Sequence, residues 1–366
     1  MAPFTLSGAE AGRASASGSL RLRSPSGCSA QGERRLFVLF LLLTSCVRLV
    51  PLPDTAETFH PTTRDGVEIS LVRYKPVGPE TGRPVLMCHG ISANDRNMDL
   101  DDTHSMARWF AAHGREAWTM SLRGTGSSGN PSDNTFDDFW QHDLPTAIAR
   151  VRQITGADTI DYVGHSMGGM IVYAYLAEGG TGLGAVATLG SPTNLDTGTL
   201  AGGLVGLVPA GLTIPSGLGA FLVAPLEGAI ADGPIERLFY NPANTPPSTF
   251  GRLMSYGTAN IAAGVVKQLG RVGEGRFESA DGTRDFRKDM AGVTTPVLVV
   301  AARLDRVAPV PAVKDGYRAL GGPKEWLLVS EAHGAKAEYG HMDLVVGERA
   351  AVEVWSKVLG FFERHK

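Results

Sequence analysis

The stretch Ile160-Asp161-Tyr162-Val163-Gly164-His165-Ser166-Met167-Gly168-Gly169-Met170-Ile171-Val172-Tyr173-Ala174-Tyr175-Leu176-Ala177 decides how this chain is read. The strand-forming run Ile160–Val163 enters a G-x-S-x-G pattern at Gly164–Gly168, and an apolar run of helical character leaves it. A strand that turns directly into a helix holds its middle residue under backbone strain and points that side chain out of the sheet edge. Gly164 and Gly168 suit such a turn, because a chain that doubles back so tightly has no room for a Cβ. The pattern nominates Ser166 as a nucleophile.

Outward from this turn, strand-like and helix-like segments alternate. Phe59–Tyr74 holds two β-rich stretches around Arg64-Asp65-Gly66, an expected hairpin. Pro84–Cys88 is a continuous apolar run, as in a strand covered on both faces. Ala117–Leu122, Ala185–Leu189, Pro296–Ala301 and Trp326–Ser330 are further strand candidates, and Asp137–Ile154 reads as a helix. Ala351, Trp355, Val358 and Phe362 have the spacing of a closing amphipathic helix. This alternation implies an α/β class, with a mostly parallel sheet and helices on both faces. The pattern breaks over residues 193–291. From Thr197 to Leu226 there is no charged residue, and Pro209, Pro215 and Pro225 argue against one long helix. We read 193–291 as an apolar cap or lid inserted into a core made of 57–192 and 292–366, in preference to a membrane-dipping segment.

A serine hydroxyl needs a base within hydrogen-bond reach and a third group that orients the base. For a serine on such a turn the partners follow in the order Ser, Asp or Glu, His. The apolar strand Val297–Ala302 runs into a short loop carrying Asp305, which is the expected acid. His341, in Tyr339-Gly340-His341-Met342-Asp343-Leu344, is the expected base, with His333 as its rival. Asp343 reads as a brace or helix cap for that loop. Developing negative charge on a substrate oxygen calls for two fixed donors. The backbone N–H of Met167 is one; that of Ile91, in the loop His89-Gly90-Ile91 after a strand, is the other. His89 is expected to brace this loop, and His165 to be structural.

Composition narrows the alternatives. The 366 residues carry a net charge of −3, with 43% hydrophobic and 19% charged residues, which suits a globular protein. No basic stripe or zinc spacing is present, so neither nucleic acid nor a metal is expected as a partner. Three cysteines, Cys28, Cys46 and Cys88, cannot form a disulfide framework. Residues 1–45 read as a disordered leader followed by a signal peptide, with Arg34-Arg35 before the apolar run Leu36–Leu43. Leu43-Thr44-Ser45-Cys46 resembles the bacterial lipobox, which implies export, lipidation at Cys46, a tether over 46–56 and attachment to a membrane; the alternative is a plain signal peptide or signal anchor with an incidental cysteine, and a periplasmic or secreted protein.

With these residues placed, the chain resembles the α/β-hydrolase superfamily, and within it lipases and esterases of the acid-lipase type. Arg123-Gly124-Thr125-Gly126-Ser127-Ser128 is similar to a segment common after the family's fourth strand, and the likeness runs over about 57–366. Polyhydroxyalkanoate synthases are similar but carry cysteine at the turn, and dehalogenases and many epoxide hydrolases carry aspartate. The resemblance implies a cofactor-free serine hydrolase of a small-molecule or lipid ester, expected to be apolar because the cap is. An acyltransferase or thioesterase on the same scaffold, or a non-catalytic binding protein, is the alternative.

Overall fold

Eight strands form one sheet: β1 (Ala56–Phe59), β2 (Ser70–Tyr74), β3 (Val85–Cys88), β4 (Ala117–Ser121), β5 (Ile160–His165), β6 (Leu183–Leu189), β7 (Val297–Ala302) and β8 (Lys324–Val329). Their spatial order is β1-β2-β4-β3-β5-β6-β7-β8. The first two pairings, β1 with β2 and β2 with β4, are antiparallel; the rest are parallel. The computed structural model describes Leu52, residues 56–131, 133–195, Ile214, Ser216, Gly233, Pro234 and 236–366. All of them lie within one unit, Val47–Lys366.

Period-two burial divides the apolar residues between two faces. In β7, Val297, Val299 and Ala301 join the core on one side, and Leu298, Val300 and Ala302 join that on the other. The first core is closed by α2 (Leu144–Thr155), α3 (Met167–Ala177) and α6 (Val310–Ala319). The second is closed by α1 (Met106–Ala112) and by α7 (Ser356–Arg364), through Val358, Phe361 and Phe362. The central strands are covered on both sides, which is why they read as unbroken apolar runs.

The helix expected over Asp137–Ile154 differs in one respect. A short helix, Phe136–Asp138, opens into a π turn at Phe139–Asp143 before α2 begins. Pro145 has no N–H to donate to the turn before it, so the regular ladder cannot run through this point. The wider turn places the buried Asp143 carboxylate against Arg123, whose backbone N–H and Nε both donate to it, at 2.9 and 2.8 Å.

Between Gly190, after β6, and Pro296, before β7, the chain leaves the sheet. The described part of this insertion includes α4 (Pro247–Gly257) and α5 (Ala263–Gly273). Of the uncharged stretch Thr197–Leu226, only Ile214 and Ser216 are among the described residues. The uncharged part of the expected cap therefore lies almost wholly outside them, as do the leader, the signal peptide and Cys46. Among the described residues no helix is long and apolar enough to cross a membrane.

Candidate active site

The strand order determines where the site forms. From β3 the chain moves to β4 on one side, then returns to β5 on the other, so the carboxyl ends of β3 and β5 flank a crevice. Their register pairs Cys88 with Gly164, which sets His89 and Gly90 opposite His165 and Ser166. Ser166 has φ +53° and ψ −119°, a conformation that few non-glycine residues adopt. The strain is held by its neighbours. Ser166 N–H donates to the Leu189 carbonyl at 2.8 Å, and the Tyr162 hydroxyl donates to the Gly168 carbonyl at 2.8 Å. A Cβ at position 168 would lie 2.5 Å from the Cys88 carbonyl oxygen, so only glycine lets α3 begin against the end of β3. A Cβ on Gly90 would lie 2.9 Å from Ser166 Cβ, which places the β3 loop directly over the serine.

Asp305 and His341, taken from separate loops of the sequence, are hydrogen-bonded. The His341 Nδ1–H donates to Asp305 Oδ2 at 2.7 Å, and both side chains are buried. The other carboxylate oxygen, Oδ1, accepts from the N–H groups of Val307 and Ala308 at 2.9 and 2.7 Å. The carboxylate is thus fixed on both sides, and the imidazole is fixed with its proton on Nδ1 and a lone pair on Nε2. Gly190, at the end of β6, makes room for the pair: a Cβ there would lie 3.1 Å from Asp305 Oδ2 and 3.2 Å from His341 Nδ1. The structure forms no hydrogen bond between Ser166 Oγ and His341; such contacts commonly tighten only when substrate binds. His333, the rival base, is exposed and bonded to Ser330 at 2.7 Å, away from Asp305.

His165 sits beside the serine in sequence but turns away from it. Its Nε2–H donates to the His341 backbone carbonyl at 3.2 Å, anchoring the histidine loop to the serine turn. Burial holds this imidazole neutral, well below the usual histidine range. Asp343 braces the same loop from the other side. Its Oδ2 accepts from the N–H groups of Gly340 and Asn241, at 2.6 and 2.9 Å, and its Oδ1 accepts from the Thr245 hydroxyl at 2.5 Å. Burial pushes this carboxyl up to about 6 even with three donors around it. Asn241 and Thr245 belong to the insertion and were not singled out by sequence reasoning; neither was Gly190, although a glycine immediately after a predicted strand is a usable signal.

The two expected donors are both free to bind a ligand. Neither the Met167 N–H, at the first turn of α3, nor the Ile91 N–H has a protein acceptor among the described residues. His89 explains how the second is aimed. The Leu122 N–H, which can only donate, points at His89 Nε2 at 3.2 Å. The proton must therefore be on Nδ1, which donates to the Gly90 carbonyl at 2.8 Å. In a trans peptide the N–H points opposite to the C=O. Holding the Gly90 carbonyl toward His89 therefore turns the Ile91 N–H away from it, toward the cavity that Ile91 and Met167 both line. Burial pushes His89 down to about 4, so it stays neutral and in this role across the neutral range. Selective ¹⁵N-histidine NMR should show one imidazole in the Nδ1–H form titrating near pH 4. A midpoint near an ordinary 6.5 for His89 would mean that this brace does not hold in solution.

No carboxylate, histidine or cysteine cluster around Ser166 has the arrangement of a metal site among the described residues. Among the described residues, the one group close enough to hold an ion, Asp65, Asp138 and His142, already surrounds the Arg123 guanidinium, which donates to Asp65 at 2.6 and 3.0 Å.

Comparison with known proteins agrees with this architecture. Residues 83–215 match the family described as the alpha/beta hydrolase fold. A lipase of Caenorhabditis elegans is 32% identical over 147 residues, covering 35% of this chain and 36% of the lipase. A non-heme chloroperoxidase of Streptomyces lividans is 28% identical over 262 residues, covering 68% of this chain and 82% of that protein. Among solved structures, an esterase from Thermogutta terrifontis superposes with a TM-score of 0.57 at 17% identity, covering 85% of this chain and 100% of the esterase. At that identity the likeness is one of fold. The chain thus has the α/β-hydrolase fold, and over part of its length it is similar to lipases and esterases. It spans about a third of the length of the worm lipase that it matches.

Proposed function

We propose that this protein is a serine carboxylic-ester hydrolase in which Ser166, His341 and Asp305 form the catalytic triad. The observation that carries the reading is the buried bond between His341 Nδ1 and Asp305 Oδ2, set beside a serine held at φ +53° on a strand-to-helix turn. The bond leaves His341 Nε2 as the base. It takes the Ser166 proton as Oγ attacks the ester carbonyl, and Asp305 stabilises the imidazolium that results. The Met167 and Ile91 N–H groups receive the carbonyl oxygen as it becomes negative. His341 then passes its proton to the departing alkoxide, leaving an acyl-serine and a free alcohol. Water, deprotonated by the same nitrogen, attacks the acyl-serine, releasing the acid and restoring the hydroxyl. The names of the similar lipase and esterase support an ester as the substrate.

Rapid mixing with p-nitrophenyl butyrate tests the acyl-enzyme. A burst of about one nitrophenolate per protein is expected before the steady rate, with a butyryl group recoverable on the peptide that contains Ser166 after acid quench. Acylation mapped to any other residue would overturn the assignment.

A further inference from the structure

Beyond the two donor N–H groups, the crevice continues into a cavity of about 220 Å³. Leu122, Phe139, Ile261 and Val265 supply apolar wall, the last two from the segment that leads into and begins α5. The rest of the wall is polar in an uncommon way. Asn134 is 3% exposed, lines this cavity, and its carboxamide has no hydrogen-bond partner among the described residues. Its amide atoms are not among the fully buried unpaired ones, so they open onto this cavity, where a group from outside the chain can pair with them. Its backbone is locked in place: a Cβ on Gly264 of α5 would lie 2.3 Å from the Asn134 carbonyl oxygen, so the helix packs hard against it.

A second feature converges on the same spot. Gly124 has φ +79°, and a Cβ there would lie 3.1 Å from Asn134 Nδ2 and 3.3 Å from Asn130 Oδ1. The missing side chain thus keeps open a niche bordered by one amide donor and one amide acceptor. The charges nearby exclude an anion from it. Arg123 lines the cavity, but its guanidinium is committed to Asp143 and Asp65, with Asp138 3.8 Å away, so carboxylates outnumber it. The buried His89 on the same wall is neutral. The niche therefore suits an uncharged group that both donates and accepts, or only accepts. At about 30 Å³ for each water-sized group, the cavity as the described residues bound it has room for a short arm.

We propose, building on the ester-hydrolase reading, that the substrate is a short ester carrying an uncharged hydroxyl or keto group, and that Asn134 is the residue that recognises it. This differs from the apolar acyl group expected from Thr197–Leu226. The hydroxyl can belong to the acid or to the alcohol half of the ester. Methyl 3-hydroxybutyrate and 2-hydroxyethyl butyrate separate these sources, with methyl butyrate as the plain reference.

The test is internal competition: the three esters are hydrolysed in one vessel and the products quantified, so the ratios of kcat/KM are independent of how much protein is folded. One hydroxylated ester is expected to be preferred over methyl butyrate by about three- to tenfold, the effect of one net hydrogen bond. In Asn134→Leu that ratio should fall to near one. Equal rates for all three esters in the natural protein, or a preference that survives N134L, would overturn the proposal while leaving the hydrolase reading intact. Calorimetric binding to Ser166→Ala makes the converse distinction. If no ester is hydrolysed, yet S166A binds the hydroxylated ester more tightly and S166A/N134L does not, the hydrolase reading fails and the recognition niche stands.

Discussion

Ser166→Ala is expected to lower kcat for ester hydrolysis by a factor on the order of 10⁶, because nucleophile and base act as one unit and removing either removes the pathway. The substitution deletes one oxygen and keeps the β-carbon that packs beneath Gly90, so the fold should tolerate it. Alanine occupies φ +53° no more easily than serine does, so the strain of the turn remains and the melting temperature should be nearly unchanged. The Met167 and Ile91 donors also remain. A residual rate above that of water, from binding and charge stabilisation alone, is therefore expected. Steady-state assay on a p-nitrophenyl ester, with a fluorophosphonate probe to count reactive serines, reads the result. Loss of less than tenfold, or labelling that persists, would place the nucleophile elsewhere.

Asp305→Asn should cost about 10⁴ in kcat although it changes no volume. The reason lies in the two sides of this carboxylate. Oδ1 accepts from the N–H groups of Val307 and Ala308, and Oδ2 accepts from His341. An amide has one acceptor oxygen, and the two backbone donors hold it on their side. Its NH₂ group then faces His341 Nδ1, which must give up its proton and accept. The proton moves to Nε2, the atom that has to receive one from Ser166, and the base is lost. Asp343→Asn provides the contrast. Asp343 bonds to Gly340, Asn241 and Thr245 and touches neither ring nitrogen of His341, so its replacement should loosen the loop with a much smaller loss of kcat. Comparable losses in the two variants would mean that the histidine is oriented by the loop and not by Asp305.

The sequence made the sheet legible because its central strands are buried on both faces. Runs such as Val297–Ala302 have no polar residue to confuse the pattern, and each expected strand lies in the sheet within a few residues. The turn at Ser166 and the loop of Asp305 were legible for a related reason, since each directly follows a strand, whereas the His341 loop was read from Gly340 and the helical spacing that follows it. The π turn at Phe139–Asp143 was not legible, because helical spacing is nearly preserved across one widened turn. Nor were Asn134, Asn241 and Thr245. An asparagine in a loop of glycine, serine and proline looks like turn chemistry. Its burial depends on α5, more than a hundred residues later in the chain, and no local pattern carries that information.

The clamp between the insertion and the histidine loop bears on how this scaffold can be modified. Met342 N–H donates to the Phe239 carbonyl at 2.8 Å, Glu348 N–H to that of Asn244 at 3.0 Å, and Asn241 and Thr245 hold Asp343. The segment 239–245 is therefore part of the foundation of the His341 loop and not a detachable cover. A chimaera that exchanges everything between Gly190 and Pro296 for the lid of a relative would import a new substrate roof and at the same time unseat the base. The workable junction for such a graft lies upstream of Phe239, so the modular boundary of this protein falls inside its insertion and not at the edge of its sheet.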